Sequence, residues 1–451
     1  MSVVFPSSYN PLTLTQSRPL RYGVFFYLYV MQGIPSGFYL TALANYFTAE
    51  GVGPDVVGSF IAIIGLPWAF QFIWGPLIDR FQGSPMGRRK PWVVGSQLMT
   101  LLASAMLLLV KNPIAQISTL AWLFCLRSLF AAIQDASVDA MAITVIPAGE
   151  RGRVNAFMRA GYLVGTGIGA AVFATILRRY GFHEAALAQM GFLLTGVLLT
   201  GFIREMPGDN LWPTFSRRSL PHRQLVSVKE NQSPEPVPDF RWLFTELFRG
   251  LFTRRSLLLF GAILLAYTSN SLFIRAYNYH LINALGWQDT DVSVLTGTYG
   301  MLLATVVALA GGYLADRFGA QRLLILVLGC TVVYLLGFNI GSGFWVQHSV
   351  AQNGLVALYF LDPAVSAAAM PVLMSICRKG VEGSQFTTYM ALVNLCDIGG
   401  TYLAGRALLF VNAPIIGFFA GAMVLIALVI AGLTIRYYRR IRPNDESVSL
   451  P

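Results

Sequence analysis

The stretch from Trp74 to Pro91, W-G-P-L-I-D-R-F-Q-G-S-P-M-G-R-R-K-P, lies between two long apolar runs. It contains the pair Asp79-Arg80, and a cluster of basic residues begins at Arg88. Lys and Arg are costly inside a bilayer and collect in loops on its cytoplasmic face. The stretch is therefore predicted to be a short cytoplasmic loop that joins two membrane-spanning helices.

A second copy of this loop, G-G-Y-L-A-D-R-F-G-A-Q-R, occupies Gly311 to Arg322, again between two apolar runs. Small Gly residues let two helix ends approach closely, and an Asp-Arg pair can form hydrogen bonds across those ends. Repeated halves of this kind are typical of alternating-access transporters. The residues that we assign to a cytoplasmic gate motif are Gly75, Asp79, Arg80, Arg88, Arg89, Gly312, Asp316 and Arg317.

The composition is that of a membrane protein. Of 451 residues, 55% are hydrophobic and only 12% are charged, whereas soluble domains carry about 25% charged residues. About a dozen apolar runs reach the roughly 20 residues that cross a bilayer. The net charge of +11 could suggest nucleic acid, but the basic residues lie in short loops and are not interleaved with aromatic residues as that function requires.

We predict an all-α membrane protein with twelve transmembrane helices in two pseudo-symmetric six-helix bundles. Residues 1–203 form the first bundle, residues 204–255 a cytoplasmic linker with an amphipathic helix near its end, and residues 256–451 the second bundle with a basic tail. Helices 1 to 12 are predicted at about Tyr22–Phe47, Asp55–Trp74, Trp92–Val110, Ile117–Ile146, Val154–Leu177, Glu184–Ile203, Leu257–Leu285, Asp291–Ala315, Arg322–Ile340, Ala351–Cys377, Phe386–Val411 and Ala413–Tyr437.

The distribution of loop charges predicts the orientation. Twelve spans place both termini on one side, and nearly all loop Lys and Arg residues fall on that side. The opposite side keeps about three of them, Lys111, Arg178 and Arg179. Both termini are therefore predicted to be cytoplasmic. The N-terminus lacks the pattern of a cleaved signal peptide, so we expect the first helix to direct insertion.

No enzyme or cofactor motif is evident. Gly165 to Gly169, G-T-G-I-G, has the glycine spacing of a nucleotide-binding turn but lies inside an apolar run, which favours close helix packing. The chain has no P-loop, so ATP is not expected to drive transport. Its four cysteines match no metal site and no disulfide framework. We expect a monomer that acts on a small solute and protons, without a metal or cofactor.

Twelve spans, a central linker and the repeated G-x-L-x-D-R loop resemble the major facilitator superfamily. The downstream copy matches that superfamily's motif closely, while Gln82 to Met86 interrupts the upstream copy. This interruption is similar to the AmpG-type muropeptide permeases. The segment from Gln134-Asp135 to Asp139 and the turn from Met374 to Phe386 are similar to the same clan, which also includes acetyl-CoA transporters and siderophore permeases.

The resemblance implies a proton-coupled importer of the inner membrane, with an anhydro-muropeptide as its cargo. Leu66-Pro67-Trp68 resembles the siderophore branch at least as much, so a siderophore or iron-siderophore permease is an alternative. An acyl-CoA-type transporter is a further alternative in the clan. A membrane sensor that no longer transports is an alternative from a different class.

Ionisable residues inside the spans are the candidates for coupling, because each one is costly in a membrane. Asp135 and Asp139 share a face of helix 4, since they are four residues apart. Asp139 and Arg159 of helix 5 lie at similar depth, which predicts an ion pair between them. That pair is either a static salt bridge or a proton-sensitive pair that changes between states, so Asp139 is also a coupling candidate. Asp135 has no such partner and is the first candidate for carrying a proton. Asp362 and Asp397 are the next candidates.

In the superfamily that the chain resembles, helices 1, 4, 7 and 10 line the substrate cavity. Arg127 and Arg275 would suit an anionic substrate such as a lactyl or peptide carboxylate. Alternatively, these two arginines neutralise Asp135 and Asp362. The polar residues that we assign to the cavity are Gln32, Arg127, Arg159, Arg275 and Asn278.

Overall fold

The computed structural model describes residues 11–81, 84–147, 150–212, 240–378 and 382–441, and these residues are predominantly helical. The first six long helices form one bundle, here called the N half. They are helix 1 (Arg18–Gly37, a π-helical turn at Phe38–Leu43, and Ala44–Ala49), helix 2 (Pro54–Ala69, Gln71–Ile73 and Trp74–Arg80), helix 3 (Lys90–Ala105 and Met106–Leu109), helix 4 (Ile117–Val145), helix 5 (Arg151–Tyr180) and helix 6 (Phe182–Phe202).

Six more long helices form the second bundle, here called the C half. They are helix 7 (Arg254–Asn283), helix 8 (Asp289–Leu295, a π-helical turn at Thr296–Gly300, and Met301–Phe318), helix 9 (Ala320–Ile340), helix 10 (His348–Ser375), helix 11 (Glu382–Ala407) and helix 12 (Ala413–Ile441). Within the described ranges, ten of the twelve are long and apolar enough to cross a membrane, and helices 1 and 11 fall below that criterion. The predicted all-α fold of two six-helix bundles is confirmed.

The helix ends follow from local sequence signals. The hydroxyl of Ser17 accepts a hydrogen bond from the backbone N–H of Leu20 and caps helix 1. The hydroxyl of Thr253 caps helix 7 in the same way by accepting from the N–H of Ser256. Gly181 and Gly319, with φ of +105° and +85°, turn the chain directly into helices 6 and 9, a conformation that other residues rarely adopt.

Helices 1 and 5 approach each other through glycine. A methyl group added at Gly33 would come within 2.2 Å of the carbonyl oxygen of Tyr162, and one added at Gly169 would come within 2.0 Å of that of Ile34. Only glycine allows such backbone contact. The interpretation of Gly165 to Gly169 as a packing surface is thus confirmed, and the contact places helix 1 firmly within the N half.

A shorter helix, Phe240–Leu251, precedes helix 7 and is here called the linker helix. Glu246 on it forms an ion pair with Arg378, which follows helix 10, at 3.2 Å. Its aromatic residue Phe248 stacks on Phe252, which directly follows the helix, and both rings are exposed. Residues 213–239 of the predicted linker lie outside the described part of the chain, so the division of the chain at residues 204–255 stays a prediction.

The two sides of the bundle are distinguished by their loops. The side where helix 1 begins and helix 12 ends is here called the terminal face, and the opposite side the far face. At the terminal face Arg21 donates a hydrogen bond to Glu150 at 2.8 Å, and the guanidinium of Arg255 lies over the ring of Tyr438. At the far face Arg178 joins Glu50 and Asp289.

Hydrogen bonds and close backbone contacts join the two halves toward the far face. Asn45 of helix 1 donates a hydrogen bond to Ser293 of helix 8 at 3.0 Å. A Cβ built at Gly58 of helix 2 would meet the Cα of Gly405 of helix 11 at 3.2 Å. The described structure therefore has its far face closed.

Candidate functional site

A pair of carboxylates on helix 4 lies about 10–15 Å from the terminal end of that helix, at 1.5 Å per residue. Asp139 accepts a hydrogen bond from the hydroxyl of Tyr29 on helix 1. Asp135, half-buried, accepts one from the side-chain amide of Gln71 on helix 2. Tyr29 also faces Asp135, so it connects the two carboxylates.

The side-chain nitrogen of Gln32 lies close to Asp135, although within the described structure it makes no hydrogen bond of good geometry. The Asp135–Asp139 pair is therefore surrounded by neutral hydrogen-bonding groups from helices 1 and 2. Among the described residues, no arginine or lysine forms an ion pair with it.

The predicted ion pair between Asp139 and Arg159 is wrong. Asp139 bonds to Tyr29, while the guanidinium of Arg159 lies over the ring of Tyr162, 5.7 Å from its centroid. The two residues have similar depth, but depth alone does not fix the direction in which a side chain leaves its helix. Arg159 instead faces the C half, where its charge acts on Asp362.

A second pair of carboxylates lies in the C half, formed by Asp362 of helix 10 and Asp397 of helix 11, which interact electrostatically. The hydroxyl of Ser271 on helix 7 donates a hydrogen bond to Asp397 at 2.7 Å. The hydroxyl of Tyr267, also on helix 7, faces both carboxylates, and its side chain is only 4% exposed. That hydroxyl also lies close to Ser366, although in the described part of the chain it makes no hydrogen bond of good geometry.

The two halves therefore carry similar arrangements. Each contains two aspartates and one tyrosine, and the tyrosine comes from the first helix of its half: Tyr29 from helix 1 and Tyr267 from helix 7. The first carboxylate of each pair lies on the fourth helix of its half, namely Asp135 and Asp362. This correspondence follows the internal repeat expected of such bundles.

Two charged side chains of this site lie at membrane depth. Asp139 and Arg159 are exposed although both lie several turns inside the bundle. Charged side chains at that depth do not face lipid, because that would cost several kcal/mol each. We therefore expect both side chains to face the interior between the halves, where the charge of Arg159 acts on Asp362.

Four of the five predicted cavity residues are buried in this conformation: Gln32, Arg127, Arg275 and Asn278. Arg127 donates a hydrogen bond to Ser104 at 3.2 Å. Arg275 donates one across the halves to Thr48 at 2.7 Å, and Asn278 donates to Tyr359 at 3.4 Å. The fifth, Arg159, is exposed. The alternative that Arg127 and Arg275 neutralise Asp135 and Asp362 is not what the described contacts show.

Only some residues of the predicted gate motif have contacts in the described part of the chain. The backbone N–H groups of Arg88 and Arg89 donate to the carboxylate of Glu205, at 2.9 and 2.7 Å. Arg317 is exposed and donates to the hydroxyl of Tyr313 at 3.4 Å. A Cβ at Gly75 would meet nothing within 4 Å. The side chains of Asp79, Arg80 and Asp316, and the surroundings of Gly312, lie outside the described part of the structure.

Several residues of this site could not be found in the sequence alone. Tyr29 and Gln71 resemble ordinary polar residues of apolar helices, and only the packing of helices 1, 2 and 4 brings them to the carboxylates. Glu205 falls in the predicted linker. Arg178 was noted only as a rare basic residue of the far side, whereas it bridges Glu50 and Asp289 at 2.6 and 2.7 Å.

Comparisons with known proteins agree with this architecture. The model of the family described as "Major Facilitator Superfamily" matches residues 23–263 and 259–450. The anhydromuropeptide permease of Escherichia coli strain K12 is 25% identical over 430 residues, which are 92% of this chain and 80% of the permease. The putative transporter AmpG 4 of Rickettsia conorii is 21% identical over 396 residues, 84% of this chain and 88% of that protein.

A crystal structure of a mutant form of the nucleoside transporter NupG has the same fold. It superimposes with a TM-score of 0.67 at 11% identity and covers 92% of this chain and 99% of its own. The relatives are transporters and permeases, not enzymes. The chain is therefore a multi-pass membrane transporter that belongs to the Major Facilitator Superfamily and is similar in sequence to AmpG-type permeases.

Proposed function

We propose that the chain is a proton-coupled symporter that moves an anionic solute from the far face to the terminal face, with an anhydro-muropeptide as the first candidate. The observation that carries the coupling is the pair Asp135–Asp139, bridged by Tyr29 and held by neutral partners in the described structure. A carboxylate without a cationic partner in a low-dielectric site can take up and release a proton near neutral pH.

The positive charge of Arg159 supports an anionic substrate. Arg159 has an exposed side chain that makes no ion pair among the described residues. Guanidinium groups bind carboxylates through paired, charge-assisted hydrogen bonds. A lactyl or peptide carboxylate is therefore a suitable group for Arg159 to bind. The similarity over most of the chain to a permease named for anhydromuropeptide supports that cargo in particular.

The proposed direction of transport depends on how the chain is oriented in the membrane. The basic loops lie at the terminal face, and Lys and Arg collect on the cytoplasmic side. The terminal face is then cytoplasmic and the far face periplasmic, in the inner membrane. The described conformation, with its far face closed, would be the one that releases substrate and protons into the cell.

Uptake into proteoliposomes tests this function. Purified protein should accumulate labelled anhydro-muropeptide when the far side is made acidic, and a protonophore should abolish the accumulation. Asp135→Asn should lose accumulation against a gradient. Uptake of an iron-siderophore, without uptake of muropeptide, would instead identify a siderophore permease. Failure to accumulate either solute under a proton gradient would contradict the proposal.

A further inference from the structure

The linker helix is held against the C half along one of its faces. A Cβ built at Gly250 would meet the side-chain oxygen of Gln385, a buried residue of helix 11, at 2.5 Å. That oxygen also accepts a hydrogen bond from the backbone N–H of Arg378 at 2.9 Å. Glu246, one turn before Gly250, forms its ion pair with the guanidinium of Arg378 at 3.2 Å. These contacts fix the direction in which the opposite face of the linker helix points.

That opposite face carries exposed aromatic residues. Phe248 is two residues from both Glu246 and Gly250, which at about 100° per residue places it on the side away from the C half. Its ring stacks on the ring of Phe252, with centroids 6.1 Å apart. The two residues are 54% and 65% exposed. Two large rings that cover each other but no core of the protein indicate a surface with an apolar partner.

The lipid-facing surface of helix 12 leads to the same place. Its exposed apolar residues recur every three or four positions and so form one stripe along the helix; they are Ile426, Val429, Leu433 and Tyr437. At the terminal end of this stripe, the ring of Tyr438 lies under the guanidinium of Arg255 in the first turn of helix 7, 5.4 Å from it. Because helix 7 enters the bilayer there, Phe252 lies at the level of the lipid headgroups.

Arginines surround the two rings. Arg254 at the start of helix 7 and Arg436 near the end of helix 12 are exposed, and neither forms an ion pair with a residue that the structure describes. Arg249 of the linker helix differs, because it pairs with Glu246 at 3.0 Å. Glu246 is therefore already bound by two arginines, while the charges of Arg254 and Arg436 remain available to an outside anion.

We propose that this surface, formed by Phe248, Phe252, Arg254, Arg255 and Arg436, binds anionic phospholipids of the leaflet at the terminal face. The two rings enter the layer between headgroups and acyl chains, where aromatic side chains are stable. The arginines donate charge-assisted hydrogen bonds to the lipid phosphate. A zwitterionic lipid carries its own cation beside the phosphate, so a lipid with a net negative charge binds more tightly.

Lipid binding to the purified full-length protein tests the role of the charges. The protein in detergent is titrated with phosphatidylglycerol or phosphatidylcholine, and bound lipids are counted by native mass spectrometry. We expect tighter binding of phosphatidylglycerol. A basic residue near a membrane surface contributes about fivefold to the binding of anionic lipid, so Arg254→Gln combined with Arg436→Gln should weaken it roughly 25-fold.

The matched control removes the same charge elsewhere. Arg153→Gln combined with Arg179→Gln changes two exposed arginines of the N half and should weaken binding of phosphatidylglycerol by less than twofold. Equal losses in the two double variants would overturn the proposal, because binding would then depend on net charge and not on this surface. Equal binding of the two lipids by the unmodified protein would also overturn it.

A spin label in place of Phe248 tests the position of the rings. The four native cysteines, which are free thiols, are first changed to alanine, and the protein is placed in vesicles of phosphatidylglycerol and phosphatidylcholine. A label in the bilayer collides with dissolved oxygen and not with a water-soluble nickel chelate. Collision with the chelate would place this position in water, and collision with neither would place it under protein.

Either of those last two results would overturn the proposal. The proposed function is not involved in these measurements, because no solute is transported in them. A protein that fails to take up anhydro-muropeptide can still bind phosphatidylglycerol at this surface, and the reverse also holds. The two proposals can therefore fail separately.

Discussion

Gly167 of helix 5 and Gly297 of helix 8 cross with their backbones in contact. A methyl group on Gly167 would lie 2.4 Å from the carbonyl oxygen of Gly297, and one on Gly297 would lie 2.5 Å from that of Gly167. These two residues belong to opposite halves and lie toward the far face. Closure of the far face therefore depends on the absence of side chains at this crossing.

Gly297→Ala should open the far face. Overpacking of this kind costs about 1–3 kcal/mol, which corresponds to a shift in population of roughly 5- to 150-fold. Labels at Tyr180 and Val346, both exposed at the far ends of their halves, should report a longer distance in the variant. Gly329→Ala on helix 9, where a Cβ would meet nothing within 4 Å, is the control. Equal distances in both variants would mean that the crossing does not limit closure.

Arg178→Gln should weaken the closed far face by a second route. It removes ion pairs with Glu50 at 2.6 Å and Asp289 at 2.7 Å. Asp289 is only 3% exposed, so its carboxylate would remain buried without a cation. Because Arg178 itself is partly exposed, we expect a loss of about 1–2 kcal/mol for the closed state.

The same labels at Tyr180 and Val346 measure this effect, and a change in ionic strength provides an independent check. High ionic strength screens exposed charges, so it should shift the unmodified protein toward the open far face and shift Arg178→Gln much less. Arg179→Gln changes the neighbouring exposed arginine and should leave the distances as they are. The ion pairs of Arg178 would be dispensable if Arg178→Gln and Arg179→Gln behaved alike.

Glu205 stabilises the start of helix 3 and with it the first copy of the loop motif. Glu205 is 1% exposed, and its carboxylate accepts hydrogen bonds from the N–H groups of Arg88, Arg89 and Lys90. Glu205→Ala leaves these donors without an acceptor and should cost about 1–2 kcal/mol of stability. Thermal unfolding in detergent is the measurement.

Substitutions of Gly87, just before helix 3, and of Gly75, inside helix 2, provide a comparison. Gly87 has φ of +124°, and a Cβ there would meet the carboxyl carbon of Glu205 at 2.9 Å, whereas a Cβ at Gly75 would meet nothing within 4 Å. Gly87→Ala should therefore lower the unfolding temperature and Gly75→Ala should not. Similar unfolding temperatures for the two variants would contradict the predicted strain at Gly87.

The stability that depends on Glu205 should also vary with pH. Burial raises the pKa of Glu205 above its ordinary value of 4.5, although the three backbone donors partly oppose this. An acid with a raised pKa in the folded state favours folding at low pH, and that contribution is lost as the pH rises through the folded pKa. Compared with Glu205→Gln, which does not titrate, the unmodified protein should lose stability above about pH 4.5.

The sequence was sufficient to predict where the helices begin and end, but not which side chains of neighbouring helices face one another. Apolar runs of about 20 residues and basic loops determine how many spans exist and where they end, because the bilayer imposes both constraints. The pairing of Asp139 with Arg159 was wrong because equal depth on adjacent helices does not fix the direction in which each side chain points around its helix axis. Glu205 was missed because it stands in a polar segment without periodicity, so nothing in the sequence connects it to the start of helix 3.

The orientation of the chain can be tested with reporters. A cytoplasmic reporter joined after Pro451 or inserted within residues 234–238 should be active, and one inserted near Asp289 should be periplasmic. Positive loops at the terminal face are the reason for this expectation. A periplasmic signal from the insertion at residues 234–238 would contradict the assignment of the terminal face to the cytoplasm.

The carboxylate pair of helix 4 provides the most informative comparison of transport activities. Asp135→Asn mimics a permanently protonated side chain, so the carrier can no longer release a proton on the terminal side. It should lose accumulation against a gradient yet keep exchange of substrate between equilibrated compartments. Tyr29→Phe removes the hydroxyl that donates to Asp139 and faces Asp135, while it keeps the ring. We expect it to reduce gradient-driven uptake roughly tenfold, because that hydroxyl stabilises the ionised pair.

Asp139→Asn separates a structural role from a coupling role. Because Asp139 bonds to Tyr29 and not to Arg159, we expect normal folded yield for Asp139→Asn and for Arg159→Gln, with uptake impaired in both. Tyr27→Phe, which removes the hydroxyl of a nearby tyrosine that contacts Thr195 instead, is the control for Tyr29→Phe. If Asp135→Asn still concentrates substrate as the unmodified protein does, helix 4 does not carry the proton, and Asp362 with Asp397 becomes the site that must.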